Sequence, residues 1–551
     1  MAKKTTAEAA AEVTAEKKTA AKKPAAKKAA AEKKPAEKKA AAEKKPAAKK
    51  TAAEKKPAAK KTAAKKPAAK RTVKKDEPRA KVLFAASEVA PFAASGGLAD
   101  VAGSLPIALN ERGCDVRVMM PLYGSIKPEW REKMQFMCWF FVPVGWRNQY
   151  CGLFKLEDRG VTYYFLDNEY YFKRDGLYGH GDDGERFAYF SRAILEALCH
   201  IEFDPTIIHC NDWQTALVPA YLRFYRDIPK LANVKTLFTI HNIAFQGKYG
   251  TECLSELFGL RENDLDLMYW GDCLNLMKGA IELSDKINTV SPTYAKEILD
   301  PWFSFGLDSL LREKQYKLCG ILNGIDTVTY DPATDPNCVA PFSADDVSGK
   351  AACKKALLEE FGLPDDGRPV VAMITRLTSQ KGVDLVECVM EDILANGMQF
   401  ALLGSGDKQY ENAFRAAAAR HPESCSARIA FLPALSKKMY AGADLFLMPS
   451  KTEPCGLAQM MALRYGTLPI VRETGGLADS IKDCGDGMGN GFTFKSYNAH
   501  DMLDAILRAK TMYYERPEEW AAVRERAMRC DFSWNTAAGS YLGLYDEMNG
   551  R

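Results

Sequence analysis

The sequence predicts an α/β protein made of two nucleotide-binding-type lobes that face each other across a cleft. Three observations carry this. The pentapeptide Gly-Gly-Leu-Ala-Asp occurs twice, at Gly96–Asp100 and Gly475–Asp479, each time after a hydroxyl residue, Ser95 or Thr474. Each copy follows a short apolar run that reads as a buried strand, and each opens a helical pattern. Between the copies, strand-like and helix-like segments alternate, as expected of parallel sheets covered by helices. A glycine pair at such a junction lets the backbone turn sharply and approach a ligand closely. The free N–H groups of the helix start favour phosphate or sugar oxygens.

The chain has 551 residues, enough for a tail and two or more domains. Its net charge of +5 conceals a division. Residues 1–78 hold 26 basic and 9 acidic side chains, and the rest of the chain holds 50 and 62. The acidic body argues against nucleic acid as the substrate of the main fold. The basic segment repeats a Lys-Lys-Pro-Ala unit with prolines at Pro24, Pro35, Pro46, Pro57 and Pro67. Proline at that spacing breaks helix, and little besides alanine is available to bury, so a disordered tail is expected over 1–78. Its composition resembles linker-histone-like tails, which implies a polyanion or nucleic-acid contact; a solvated linker is the alternative. The 15 cysteines are scattered without a Cys-x-x-Cys pair and read as small buried hydrophobes in a reducing compartment. No apolar run approaches the roughly 18 residues of a membrane span, and no secretory segment opens the chain. A cytoplasmic location is expected, with no membrane contact.

In the first lobe, Lys81–Ala86 reads as a buried strand leading through Ser87 and Glu88 into the first glycine loop, Ser95-Gly96-Gly97, and a helix over about 98–112. Strands are expected over 115–120, 206–210 and 234–240. In such sheets ligands bind beyond the carboxyl ends of the strands. Two ends carry polar groups there: His209-Cys210-Asn211-Asp212-Trp213-Gln214, and His241-Asn242. Asp212 can equally cap the helix that follows, whereas His241 stands where a donor aimed into a cleft would be placed. The carboxylates of Asp182-Asp183 and Asp264-Leu265-Asp266 lack a His or Glu at ligand spacing and read as solvated loop and exposed helix face.

In the second lobe, a strand over 370–375 ends at Arg376, and Lys381-Gly382 begins the next helix. A guanidinium and an ammonium at one strand–loop–helix junction suit a diphosphate. They also suit the charge that develops as a phosphate leaves. The strand over 399–403 ends in Gly404-Ser405-Gly406-Asp407, where backbone can again lie against a ligand. Buried strands are expected over 428–432 and 445–448, with Tyr440 between them. Glu453-Pro454-Cys455-Gly456-Leu457 then places a carboxylate at a strand end just before a helix start, and the second glycine loop, Thr474-Gly475-Gly476, closes the set.

Assembled, these stretches resemble bacterial glycogen synthases and plant starch synthases. The resemblance runs from about 81 to 548. It rests on Ser-Gly-Gly-Leu-Ala-Asp-Val at 95–101, Thr-Arg-Leu-Thr-Ser-Gln-Lys-Gly at 375–382, Glu-Pro-Cys-Gly-Leu at 453–457 and Tyr-Gly-Thr-Leu-Pro-Ile-Val-Arg-Glu-Thr-Gly-Gly-Leu at 465–477. It implies two Rossmann-like lobes in the GT-B arrangement: an acceptor-side lobe over 79–322, a nucleotide-sugar lobe over 323–530, and a terminal helix over 531–551 returning to the first lobe. Trp534, Tyr541 and Tyr545 of that helix read as core.

The resemblance further implies transfer of glucose from ADP-glucose to the non-reducing end of an α-1,4-glucan, with retention of configuration. On that carry-over Arg376 and Lys381 hold the diphosphate, helped by the helix start at Thr474-Gly475-Gly476. Glu453 sits at the donor glucose, and His241 lies near the reacting carbon. Tyr440 lies against the nucleobase. Asp212, Asn242, Gly404, Cys455, Gly456, Leu457 and the Ser95-Gly96-Gly97 loop border the donor. No metal or cofactor is expected, because a diphosphate is a good leaving group and cations with helix N-termini can carry its charge. Ala94 departs from the family, which usually places a lysine there, before Thr or Ser. A transferase of similar fold using UDP-glucose or another acceptor, and a non-catalytic glucan- or nucleic-acid-binding scaffold, are the alternatives.

Overall fold

The structure, a computed structural model, describes residues 78–551, so the tail expected over 1–78 lies outside the described residues except for Pro78. Two sheets organise the rest. The first has nine strands: β1 (Lys81–Ala85), β2 (Asp115–Pro121), β3 (Gln135–Val144), β4 (Arg147–Asp158), β5 (Val161–Asp167), β6 (Ile207–Asn211), β7 (Lys235–Ile240), β11 (Lys286–Thr289) and β12 (Leu318–Gly320). A small antiparallel sheet interrupts them, formed by β8 (Lys248–Tyr249), β9 (Tyr269–Trp270) and β10 (Cys273–Asn275). The spatial order of the large sheet is β12-β11-β7-β6-β1-β2-β5-β4-β3. Its strands run parallel as far as β5, after which β4 and β3 add an antiparallel hairpin.

The second sheet contains β13 (Val370–Ile374), β14 (Gln399–Leu403), β15 (Cys425–Arg428), β16 (Leu445–Met448), β17 (Leu468–Arg472) and β18 (Phe492–Phe494). It is wholly parallel, in the order β15-β14-β13-β16-β17-β18. Strands such as Val370-Val371-Ala372-Met373-Ile374 are apolar throughout because both faces of the sheet are covered by helices. In each sheet the chain leaves its first strand in one direction and later returns to the other side, between β1 and β6 and between β13 and β16. Crevices open at such reversals beyond the carboxyl ends of the strands, and this is where the site lies.

The expected strand over 428–432 is shifted. β15 stops at Arg428, opposite the end of β14 at Leu403, its one partner strand among the described residues. Without a neighbour, Phe431 and Leu432 stand exposed, and Pro433 opens the next helix, Pro433–Gly442. The terminal helix Trp534–Asn549 lies on the first sheet, where Tyr541 accepts from Asn288 Nδ2 at 3.2 Å and Tyr545 OH meets His209 Nδ1 at 2.9 Å. His209 is therefore a core residue. Burial holds its imidazole well below the usual range, and it does not reach the cleft.

The two lobes are joined by a reciprocal clasp between the helices Pro292–Glu297 and Gly475–Ser480. Glu297, ending the first, accepts from Thr474 Oγ1 and from Gly475 N–H, each at 3.0 Å. Asp479, near the end of the second, accepts from Thr293 N–H at 2.9 Å and Thr293 Oγ1 at 2.6 Å. Each helix thus supplies the anion that the other's positive end selects. Burial raises the Glu297 pKa while these donors pull it back down. Replacing Glu297 by Ala strands part-buried donors. The expected loss is about 1–3 kcal/mol of unfolding free energy, measured by urea titration; a midpoint equal to that of the unaltered chain would remove the clasp as a stabilising contact.

Candidate active site

A cavity of about 810 Å³ lies between the carboxyl ends of the two sheets. From the first lobe it is lined by Glu88 and the Ser95-Gly96-Gly97 loop after β1, by Asp212, Trp213 and Gln214 after β6, and by His241 and Asn242 after β7. From the second come Arg376 and Lys381 after β13, Tyr440, and Glu453-Pro454-Cys455-Gly456-Leu457 after β16. Residues far apart in sequence meet here because all but Tyr440, which sits on the helix Pro433–Gly442, follow strand ends at or beside a chain reversal.

On the second-lobe side, Glu453 is buried and is the centre of a small network. Its Oε2 accepts from Lys381 Nζ at 2.6 Å and from Ser450 Oγ at 2.9 Å. Arg376 is exposed at the cavity wall, and its guanidinium has no side-chain hydrogen bond among the described residues. One cation is therefore already matched to a carboxylate while the other is available for a ligand's oxygens. Tyr440 is buried against Phe446 and Tyr465 and offers one side to the cavity. Behind it, Lys350 is buried. Its ammonium donates to the carbonyls of Ala441 and Tyr465, both at 2.9 Å, and to Thr467 Oγ1 at 2.8 Å. Burial lowers its pKa to about 7.

On the first-lobe side, Asp212 occupies a left-handed backbone conformation, φ +56°. Its carboxylate accepts from the N–H of His241 at 2.7 Å and of Asn242 at 3.4 Å, so it shapes the loop after β7. Burial pushes its pKa up to about 7, against those two donors. Asn211 gives its amide hydrogens to the Ala85 and His209 carbonyls, leaving Oδ1 as the acceptor for His241 Nε2 at 2.9 Å. This assigns the His241 proton to Nε2. Burial lowers its pKa to about 3, so the imidazole is neutral at physiological pH.

The two identical pentapeptides do different jobs. At the first, the Gly96 and Gly97 positions are open towards the cavity, and buried Glu88 accepts from Ser95 Oγ at 2.8 Å and Gly96 N–H at 3.2 Å. At the second, Gly475 has φ +45°, and a Cβ there would sit 2.0 Å from the Glu453 carbonyl oxygen. A Cβ on Gly476 would sit 2.1 Å from the Cys455 carbonyl oxygen. The structure places Thr474, Gly475 and Gly476 behind the Glu453–Cys455 segment, with the Gly475 N–H held by Glu297, and not in the cavity wall. Gly404 likewise stays outside the wall; a Cβ there would strike the Thr375 carbonyl oxygen, so it fits the turn against the strand that carries Arg376.

In each of two acidic clusters read from sequence as solvated, one carboxylate is in fact buried and committed, while Asp266 stays exposed on its helix as expected. Asp183 is buried at the cavity edge, paired with fully buried Arg186 and accepting from Gly179 N–H at 2.8 Å. Asp264 is buried and pairs with Arg223 at 2.8 Å. Sequence reasoning also passed over Ser450 and Glu297. Ser450 had a signal in its position three residues before Glu453; Glu297 had none, because its partner lies in the other lobe.

Comparison with known proteins places this geometry. The sequence pattern of the starch synthase catalytic domain matches residues 81–313, and that of the glycosyl transferases group 1 matches 355–525. The chain is 51% identical over 474 residues to a glycogen synthase of Geobacillus thermodenitrificans, spanning 85% of this chain and 98% of that protein. It is 48% identical over 473 residues to a glycogen synthase of Clostridium acetobutylicum, spanning 84% and 99%. The catalytic domain of starch synthase IV from Arabidopsis thaliana, bound to ADP and acarbose, superposes with a TM-score of 0.80 at 37% identity, covering 86% of this chain and all of that one. The two-lobed GT-B fold, the strand-end cavity and these similarities together establish that the chain belongs to the glycogen synthase and starch synthase family of glycosyltransferases.

Proposed function

We propose that the cavity transfers glucose from ADP-glucose to the 4-hydroxyl at the non-reducing end of an α-1,4-glucan, with retention of configuration. The observation that carries this reading is the pairing of Lys381 with Glu453 beside exposed Arg376, on the wall opposite His241 and Asp212. The Arabidopsis protein of the same fold is bound to ADP and acarbose, a nucleotide diphosphate together with an oligosaccharide mimic.

In this reading Arg376 grips the diphosphate with its planar fork, and Lys381 shares its charge between the diphosphate and Glu453. Glu453, fixed by Ser450 and Lys381, faces the donor sugar and stabilises positive charge that develops at the anomeric carbon. Tyr440, backed by Lys350, forms the nucleobase wall. Asp212 holds the backbone of His241 and Asn242 so that both meet the sugar from the acceptor side.

Retention by a double displacement requires a second carboxylate free to attack. Of the other carboxylates lining the cavity, Glu88 is engaged by the first glycine loop, Asp183 by Arg186 and Asp212 by two backbone N–H groups, while Asp100 has no side-chain hydrogen bond among the described residues. A diphosphate departs without a general acid, and Glu453 is committed to Lys381 and Ser450, which favours attack from the same face as departure, with the leaving phosphate taking the acceptor's proton. Ala94 leaves the cavity without the family's lysine, so the donor's charge rests on Arg376 and Lys381.

Two outcomes follow. The Arg376→Ala, Lys381→Ala double variant is expected to lose at least about a hundredfold in kcat/KM, assayed as ADP release with glycogen present; turnover within threefold of the unaltered chain would defeat the assignment. Because the His241 pKa lies at about 3, the imidazole stays neutral from about pH 5 upward. His241→Asn is therefore expected to lower kcat while leaving the pH–rate profile between pH 5 and 8 the same in shape. A limb near pH 6.5 present in the unaltered chain and missing in the variant would show that His241 titrates in turnover.

A further inference from the structure

Outside the cavity, the first lobe carries a set of exposed aromatic rings that its core does not use. Phe245 lines the cavity edge and is 56% exposed. Beyond it stand Trp302, 70% exposed, and Phe305, 49% exposed. Large apolar side chains exposed together mark an interaction surface. Their backbone is equally unusual. Phe305 has φ +51° and Gly306 φ +91°, a left-handed pair in which an aromatic residue is disfavoured. Two side chains hold that conformation by binding successive carbonyls. Buried Gln246 donates from Nε2 to the Phe305 carbonyl at 3.2 Å, and Trp270 donates from Nε1 to the Gly306 carbonyl at 2.8 Å. Gln246 is itself fixed by Asn275 Nδ2 at 2.7 Å. The loop is thus locked from the residue next to Phe245 and from the small sheet, in a form that turns a phenyl ring outward. Strain of this kind persists where the surroundings over-determine it, and it clusters at ligand clamps.

The position of Trp302 fixes the direction of this surface. Lys451 of the second lobe, two residues before Glu453, places Nζ 5.5 Å from the Trp302 ring centroid. The rings therefore continue from the cavity edge at Phe245 to the mouth of the same cleft.

We propose that Phe245, Trp302 and Phe305 form an acceptor track that holds the sugar units of an α-1,4-glucan behind its reacting end. The inference rests on the proposed function for the identity of the polymer. Sugar rings present flat C–H faces that pack on aromatic rings, and their hydroxyls stay in water at a half-exposed surface. Continuity with the cavity matches a chain whose first unit reacts inside and whose later units extend outward. A protein partner is the competing occupant.

The full-length chain, Trp302→Ala and Phe305→Gly provide the test; the glycine keeps the left-handed backbone while deleting the ring. Maltoheptaose binding is measured by calorimetry without donor, and kcat/KM with ADP-glucose is measured for maltoheptaose and for maltose. Each variant is expected to bind maltoheptaose about tenfold more weakly, and the ratio of kcat/KM for the long acceptor over the short one is expected to fall about tenfold. Maltoheptaose binding and acceptor ratio within twofold of the unaltered chain in both variants would overturn the track and leave the rings to a protein partner, as would failure of the unaltered chain to bind maltoheptaose. Failure of the donor reading shows separately. In that case the unaltered chain releases no ADP with either acceptor, while maltoheptaose binding still depends on Trp302 and Phe305.

Discussion

The site depends on how one short segment, Glu453 to Cys455, is held. From the front, Lys381 and Ser450 fix the Glu453 carboxylate. From behind, Gly475 and Gly476 press against the carbonyls of Glu453 and Cys455 at a distance no side chain would allow. The same glycine loop is tied to the first lobe through Glu297, and Asp479 returns the contact to Thr293. A buried carboxylate of the cavity wall is thus coupled, through two layers of backbone, to the element that joins the lobes. This arrangement suits a reaction whose main demand is fixed charge around a departing diphosphate, since preorganised groups need not reorganise as charge develops.

The first-lobe side of the cavity is built on a different principle. Asp212, His241 and Asn242 meet there through backbone geometry: a left-handed aspartate reaches the amides of the neighbouring strand end. Burial keeps the His241 imidazole neutral and commits its proton to Asn211. The first lobe therefore offers positioned polar groups, and the second supplies the cations. The division explains why two lobes of similar architecture are needed, and why the cavity lies at a chain reversal in both sheets.

Much of this was legible in the sequence. Strand-end residues such as Arg376, Lys381, His241 and Glu453 can be placed from the alternation of apolar runs and helical patterns, because parallel strands are uniformly apolar and stop abruptly. Some functional assignments from local pattern did not transfer. Thr474-Gly475-Gly476 looks like Ser95-Gly96-Gly97, yet one loop lies in the cavity wall and the other supports it, a distinction set by Glu297 from 177 positions away. His209 reads as a strand-end residue, but β6 runs on to Asn211 and its ring is claimed by Tyr545 of the terminal helix. Asp183 is drawn inward by Arg186 despite a glycine-rich polar surrounding. Phe431 and Leu432 fit a strand pattern, but β14, the partner of β15 among the described residues, ends first. In each case the deciding contact is long-range or depends on which neighbour is present.

A structure of the chain with bound ADP tests the central claim most directly. The account predicts diphosphate oxygens on the Arg376 guanidinium and the Lys381 ammonium, an adenine beside Tyr440, and Glu297 still seated on Gly475. A nucleotide bound outside the cleft, or one whose phosphates displace Glu297 from Gly475 and leave Arg376 and Lys381 untouched, would contradict it.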